Sequence, residues 1–418
     1  MDLRTRNIPH ARNLCLAVLV ALVSCTPRGA PPEAPAEEFT ELRLTRAAFS
    51  ELTNWFETDT GEAFAALLRS CGAITAMPGD ASMTGAGYGG KVSEWVPVCT
   101  AAANVSRDDG GAMRIFFEAE FVPYWVAEGE SEAGLFTGYF EPELRGSLLR
   151  HGEFQTPLYG LPADLVSVDL GLFRENLTGQ RLAGRVQEGS LVPYDTRPEI
   201  TRRGLEQAEE LLYVDDPIDA FFLQIQGSGR VQLEDGSVVR ASYAGHNGHP
   251  YTAIGAVLIA REELAREDVS MQSIRGWLSA NPSEAQDLLD QNASYVFFSI
   301  EPLDDPALGA RGTQGVPLTA EASLAVDASA HPLGAPIWLE TTVPRSDQAQ
   351  TPFHRLLIAQ DTGGAIRGAV RGDIYWGVGE EAGEVAGRMR SAGKMAVLVP
   401  RAIAENIGEI FVSDRPGP

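Results

Sequence analysis

A mainly β fold with flanking helices is predicted for these 418 residues by three observations. From Gly134 to about Gly248, and again after Asn292, the apolar runs are short and broken by Gly, Pro and Asp, the punctuation of strands and turns. Near the start, and over residues 251–291, apolar residues recur at helical spacing instead. Apolar residues make up 44% of the chain and charged residues 22%, so most of its length is expected to bury a core.

The first segment reads as an export signal. Arg4, Arg6 and Arg12 precede the apolar run 14–23, which is too short to cross a bilayer as a helix. The run ends in Leu22, Val23, Ser24 and Cys25, and this resembles a bacterial lipoprotein signal, with residues 1–24 removed and Cys25 lipidated. Several acyl chains anchor a protein firmly where one alone does not. Thr26 rather than Asp follows that cysteine, which in such lipoproteins is an outer-membrane address. Residues 25–39 hold four prolines and three glutamates with no periodic apolar face, the composition of an extended tether. Export puts the mature chain in an oxidising compartment, where Cys71 and Cys99 are disulfide candidates.

Helical spacing predicts helices over 42–56, 61–71 with Thr60 as a cap, and 113–126. The apolar stretch 219–226 reads as a strand. Residues 231–240 read as a hairpin turning on Asp235 and Gly236. Helices follow over 251–264, 271–280 and 282–291. Further strands are expected at 295–300, 323–327, 336–341, 356–360, 373–376 and 395–399.

Charge excludes one class of partner. The chain carries 33 Lys and Arg against 57 Asp and Glu, a net charge of −24, which repels a phosphate backbone, so no nucleic acid is expected. Nothing predicts a metal or cofactor. The four cysteines form no CxxC pair, and His246 and His249 lie in a Gly/Asn loop without carboxylates at ligand spacing. Gly387 precedes Lys394 out of register for a phosphate loop, and Gly377, Gly379 and Gly383 miss dinucleotide spacing by one residue. Asp361 opens an Asp-Thr-Gly run like that of an aspartic peptidase, but the partner run this chemistry needs is absent.

Three aspartates remain. Asp327 and Asp361 close apolar strand-like runs and Asp373 opens one, so they can gather on one rim of a small barrel. Clustered carboxylates raise one another's pKa, which keeps one protonated as a general acid near neutral pH. Aspartates are equally common as plain turn residues at strand ends.

Ordered blocks extend the pattern: 136–142 (FTGYFEP), 154–159 (FQTPLY), 222–229 (FLQIQGSG), 243–255 (YAGHNGHPYTAIG), 271–275 (MQSIR), 361–368 (DTGGAIRG) and 372–377 (GDIYWG). Together they resemble the membrane-bound lytic murein transglycosylase A family with its C-terminal three-aspartate domain. The resemblance implies a double-psi β-barrel of residues 40–141 plus 304–412, an inserted smaller β domain of 142–303, and a glycan groove between them. It implies Asp373 as the catalytic residue with Asp361 and Asp327 in support. Thr137, Gly138 and Tyr139 would form a groove wall, and Gln226, Gly227, Ser228 and Gly229 a substrate loop, with Tyr375 and Trp376 further stacking candidates. The implied enzyme is a peptidoglycan lytic exotransglycosylase, lipid-anchored and facing the periplasm, whose partners are peptidoglycan glycan strands and a cell-wall synthesis complex. A non-catalytic, expansin-like wall-binding lipoprotein and a water-using muramidase are the competing expectations.

Overall fold

The apolar runs 324–326, 336–339, 356–359 and 395–399 are buried strands of one sheet that closes on itself. In the computed structural model the described residues are 42–405, except 175, 176, 178–180, 304 and 345–348, together with the backbone of 411 and 412. The expected signal, Cys25 and the tether lie outside them. The described chain opens with β1 (Leu42–Arg46), α1 (Gly61–Thr75), α2 (Val92–Ala103), α3 (Gly110–Glu120), β2 (Phe121–Glu128) and β3 (Gly134–Glu141). Next come β4 (Glu143–Ser147), β5 (Thr156–Tyr159), β6 (Val166–Asp169), β7 (Arg181–Gln187), β8 (Ser190–Pro193), α4 (Arg197–Arg203) and β9 (Glu210–Val214). Then α5 (Pro217–Gln226), β10 (Ser228–Leu233), β11 (Val238–His246), α6 (Ile254–Ala260), α7 (Met271–Ala280), α8 (Pro282–Leu289) and β12 (Val296–Pro302). The last part holds β13 (Ser323–Val326), β14 (Pro336–Pro344), β15 (Gln350–Asp361), β16 (Arg371–Val378), α9 (Gly379–Ala386), β17 (Arg390–Pro400), α10 (Arg401–Ala404) and β18 (Phe411–Val412).

The main sheet runs β14-β15-β13-β16-β3-β17-β2-β1-β18, and β14 also pairs with β17. That extra pairing, from Ile337↔Val397 to Glu340↔Lys394, closes six strands into a barrel. Closure removes the open edges those strands would otherwise expose. Its interior holds Phe136, Leu324, Leu357, Ile374 and Val397, each fully buried. Helices α1 to α3 share this core through Phe64, Leu67, Trp95 and Phe117. The side chain of Gln360 fixes α1 on the barrel, donating to the Ala66 carbonyl at 2.9 Å and to Ser70 Oγ at 2.8 Å. A disulfide joins Cys71 on α1 to Cys99 on α2. Between β3 and β13 the chain builds two further sheets, β12-β11-β10-β4-β9-β5 and β6-β7-β8.

Four sequence expectations are corrected. Residues 42–46 form a strand, with Leu42 and Leu44 buried; alternation over five residues won because β1 pairs along its whole length with Tyr124 to Glu128 of β2. The helix expected over 113–126 stops at Glu120, and Phe121 starts a strand through Pro123, a residue that a helix interior rejects. Residues 217–226 are a helix, capped by Asp216, whose Oδ1 accepts from Ile218 N at 2.7 Å, and ended by Gly227 in the left-handed region. Its apolar residues run continuously because the helix is buried on most sides, which hid the helical period. The helix expected over 251–264 shrinks to Ile254–Ala260. The hairpin at Asp235 and Gly236, α7, and strands β12 to β17 fall where the pattern puts them.

Candidate active site

The three aspartates come together because β13, β15 and β16 are neighbours. Ala325 pairs with Asp361 on one side and with Asp373 on the other. On its far side β16 runs parallel to β3, with Arg371↔Leu135, Asp373↔Thr137 and Tyr375↔Tyr139 in register. Side chains alternate along a strand, so these six share one face, while Phe136, Gly138, Ile374 and Trp376 point the other way. Phe136 and Ile374 are sealed in the barrel core.

The aspartates have the same chemistry in three different settings. Asp327 is buried, with Oδ1 accepting from Ser329 N at 3.0 Å and Ser329 Oγ at 2.6 Å, and Oδ2 from Gly368 N at 2.9 Å. Burial works to raise its pKa, but these donors and the Arg367 charge outweigh it and hold the carboxylate below its ordinary range. It is an ionised brace for the loop after β15. Asp361 takes four bonds: Thr313 N at 2.9 Å, Thr313 Oγ1 at 3.0 Å and Thr362 N at 2.9 Å on Oδ1, and the Tyr139 hydroxyl at 2.9 Å on Oδ2. Burial still pushes its pKa up against those bonds.

Asp373 is the least encumbered. Thr137 Oγ1 donates to its Oδ1 at 2.6 Å, and among the described residues no protein donor reaches Oδ2. Burial, helped by the Asp361 charge and opposed by Thr137 and Arg371, pushes its pKa up to about 6. Asp373 as a residue is partly exposed, so its carboxyl group is desolvated by its neighbours while the side chain stays open to a ligand.

Of the other expected site residues, Thr137 and Tyr139 stand beside Asp373 and Asp361 on the same face. Tyr375 does not face a ligand. It is 1% exposed, its ring lies against Tyr139 at 5.4 Å, and its hydroxyl donates to Glu141 Oε2 at 3.3 Å. The reason is Gly309, which packs directly on that ring. Trp376 packs on Phe353 and across Gly138, where an added Cβ would lie 2.4 Å from its Nε1; Gly138 makes room for that indole. Gln226 sits three residues along β3 from Thr137, with its Oε1 accepting from Phe140 N at 3.0 Å, roughly 10 Å away at 3.3 Å per residue. Gly227 caps α5 and Ser228 opens β10, while Gly229 is buried under Leu223 and Pro142, so this last glycine serves packing.

Sequence reasoning passed over three participants. Thr313 holds Asp361 from a loop 48 residues away, and no local pattern announces it. Arg371 donates to Thr137 Oγ1 at 2.8 Å; its place two residues before Asp373 on a strand was the available signal. Glu141 is wholly buried between Arg240, at 2.9 Å, and Arg230, at 3.7 Å. It ties β3 to β10 and β11, and a lone glutamate ending an apolar strand was the signal there.

Fold and site define a barrel protein in which a partly exposed aspartate of raised pKa, Asp373, stands beside a second that accepts four hydrogen bonds, Asp361. Residues 135–299 match the MltA specific insert domain and 322–399 the 3D domain. The chain is 37% identical to membrane-bound lytic murein transglycosylase A of Escherichia coli strain K12 over 295 residues, covering 68% of this chain and 71% of that one. It is 35% identical to the protein of that name from Vibrio cholerae, over 62% of this chain and 64% of the other. A membrane-bound lytic murein transglycosylase from Agrobacterium tumefaciens superposes with a TM-score of 0.75 at 31% identity, over 87% of this chain and 99% of that one. E. coli MltA with bound chitohexaose superposes with a TM-score of 0.63 at 28% identity, over 86% and 94%. The chain belongs to the membrane-bound lytic murein transglycosylase A family.

Proposed function

We propose that the protein is a lytic transglycosylase that cleaves the β-1,4 bond between MurNAc and GlcNAc in peptidoglycan and leaves 1,6-anhydro-MurNAc ends, acting in wall turnover and remodelling. The observation that carries this reading is the asymmetry of the three aspartates: among the described residues only Asp373 of the three keeps an oxygen free of protein donors, and its pKa is raised to about 6. Hydrolytic glycosidases need two working carboxyl groups, an acid and a nucleophile or base. Asp361, with four donors on it, is poorly placed for either role. One carboxyl group suffices when the nucleophile is the sugar's own 6-hydroxyl.

Protonated Asp373 gives its proton to the glycosidic oxygen as the C1–O bond breaks. The resulting carboxylate then takes the proton of the C6 hydroxyl as O6 bonds to C1. No water is consumed and Asp373 ends protonated, ready for the next turnover. Tyr139 and Thr137 flank the scissile bond in this reading, and Gln226, Gly227 and Ser228 border the groove farther along β3. Residues 40–141 plus 304–412 form the catalytic domain and 142–303 the insert. Because the acid must be protonated first, kcat/KM falls about tenfold per pH unit above about 6. Incubation with purified murein tests the activity: soluble muropeptides are released, and binding without release would mark a wall-binding protein instead.

The relatives named above are called membrane-bound, and none of the described helices is long and apolar enough to cross a membrane. We infer a lipid anchor at Cys25, with residues 25–39 as its tether and Thr26 favouring the outer membrane. Cys25→Ala is expected to leave the membrane pellet and lose all fatty-acid label; label retained on that variant would contradict the anchor.

A further inference from the structure

We propose that Arg371 is a positioning residue for Asp373, acting through the Thr137 hydroxyl to fix which carboxyl oxygen carries the proton; this rests on the reading of Asp373 as acid and base. Arg371, Thr137 and Asp373 lie on one face of the parallel pair β3 and β16. Arg371 Nη2 donates to Thr137 Oγ1 at 2.8 Å, and Thr137 Oγ1 donates to Asp373 Oδ1 at 2.6 Å. A hydroxyl has one hydrogen, and a guanidinium only donates. The arginine therefore occupies an acceptor site of Thr137, and the hydroxyl hydrogen is left for Asp373.

The consequence concerns Asp373 itself. With Oδ1 accepting this bond in either protonation state, the acid's proton resides on Oδ2, the oxygen with no protein donor. Oδ2 is then the atom that gives its proton to the glycosidic oxygen and takes the next from the C6 hydroxyl. The guanidinium cannot swing away easily, because Nη1 donates to the Leu135 carbonyl at 3.1 Å and also to the Gly372 carbonyl. Among the described residues no carboxylate lies within ion-pair distance of it, so a salt bridge does not account for its partly buried position. The alternative is that Arg371 merely pins the two strands through those carbonyls.

The charged and titratable groups around Asp373 are few. Arg371 is on its own strand, Tyr139 on β3 and Asp361 on β15, exposed Arg390 on β17 lies opposite Thr137, and Ser323–Val326 of β13 brings none. Arg371 is the cation that favours the ionised form of Asp373. Its loss keeps the acid protonated to higher pH.

Steady-state kinetics on purified murein across pH, with thermal melting as a control, test the proposal. Arg371→Met is expected to lower kcat roughly tenfold, the loss of about one charge-assisted hydrogen bond. KM should stay within about twofold, and the alkaline limb of the profile should move up by roughly one pH unit. Arg371→Lys, which restores the charge without the fork, should return the limb towards its original position while kcat stays low. In a Thr137→Val background, with no hydroxyl to orient, adding Arg371→Met should cost kcat less than about twofold. Equal losses in both backgrounds, or an unmoved limb with only a lower melting temperature, would overturn the proposal in favour of strand pinning. Should Arg371→Met not fold, a wild-type kcat in Arg371→Lys overturns it as well. A wild-type enzyme that makes anhydro ends while Arg371→Met keeps its profile sinks this inference alone, whereas reducing ends from the wild type sink the transglycosylase reading.

Discussion

Asp373→Asn is expected to lower murein cleavage by roughly 10²–10⁴-fold, the usual contribution of a positioned acid/base, while glycan binding persists. The amide keeps the side-chain shape but can neither give a carboxylic proton nor take one back. The same substitution should stabilise the fold at neutral pH. Asp373 has its pKa raised from the ordinary 3.8 to about 6 in the folded chain, so folding favours its protonated form and opposes its charged form. Relative to a permanently neutral side chain, the wild type is unpenalised below pH about 4 and loses stability as pH rises through about 6. Allowing for the partial exposure of the residue, the gain on removing its charge is about 1–2 kcal/mol at pH 7.5. Urea unfolding at pH 7.5 and at pH 4 checks this: a midpoint above wild type at the higher pH should converge on it at the lower. A variant with near wild-type turnover would move the proton-transfer role to Asp361.

Glu141→Ala is expected to cost about 3–5 kcal/mol, the range for breaking a buried charge pair from one side. Glu141 has no exposed surface, and its removal takes the carboxylate from two arginines, Arg230 and Arg240, that are each 8% exposed. Arg240 donates to it through Nε at 2.9 Å and also to the Leu308 carbonyl at 2.6 Å; Arg230 donates to the Pro306 carbonyl at 2.7 Å. The knot therefore joins barrel strand β3 to β10 and β11 and to the return segment before β13. Because Thr137 and Tyr139 are on β3, activity should fall together with stability. Denaturant midpoints at constant slope give the free energy. A loss under 1 kcal/mol would show that the arginines find other partners. Replacing all three groups by apolar residues is a different experiment and is often neutral.

The barrel strands were legible because they are buried on both sides or alternate cleanly between Gly, Asp and Pro breaks. The misread elements share a cause. In 217–226 a helix buried on most faces gives the same continuous apolar run as a central strand, and only Asp216, Pro217 and Gly227 at its ends distinguish the two. In 113–126 one apolar stretch serves a helix and then a strand, with Pro123 the local warning. The three aspartates could be found from their positions at strand ends, but their division of labour could not. It depends on donors brought by distant segments: Thr313 to Asp361, Gly368 to Asp327, and a single hydroxyl to Asp373. Tyr375 shows the same limit. Alternation correctly sets it on the face of Asp373, and only the packing of Gly309 across its ring reveals that the face is closed there.

The central claim is that one carboxyl group breaks the glycosidic bond without water as the nucleophile. Digestion of purified murein in water enriched in heavy oxygen, followed by mass spectrometry of the released muropeptides, tests it most directly. The account predicts muramic ends that carry no heavy oxygen and are lighter by one water than hydrolytic ends. Reducing ends labelled with heavy oxygen would contradict it and would require a second working carboxylate in the site.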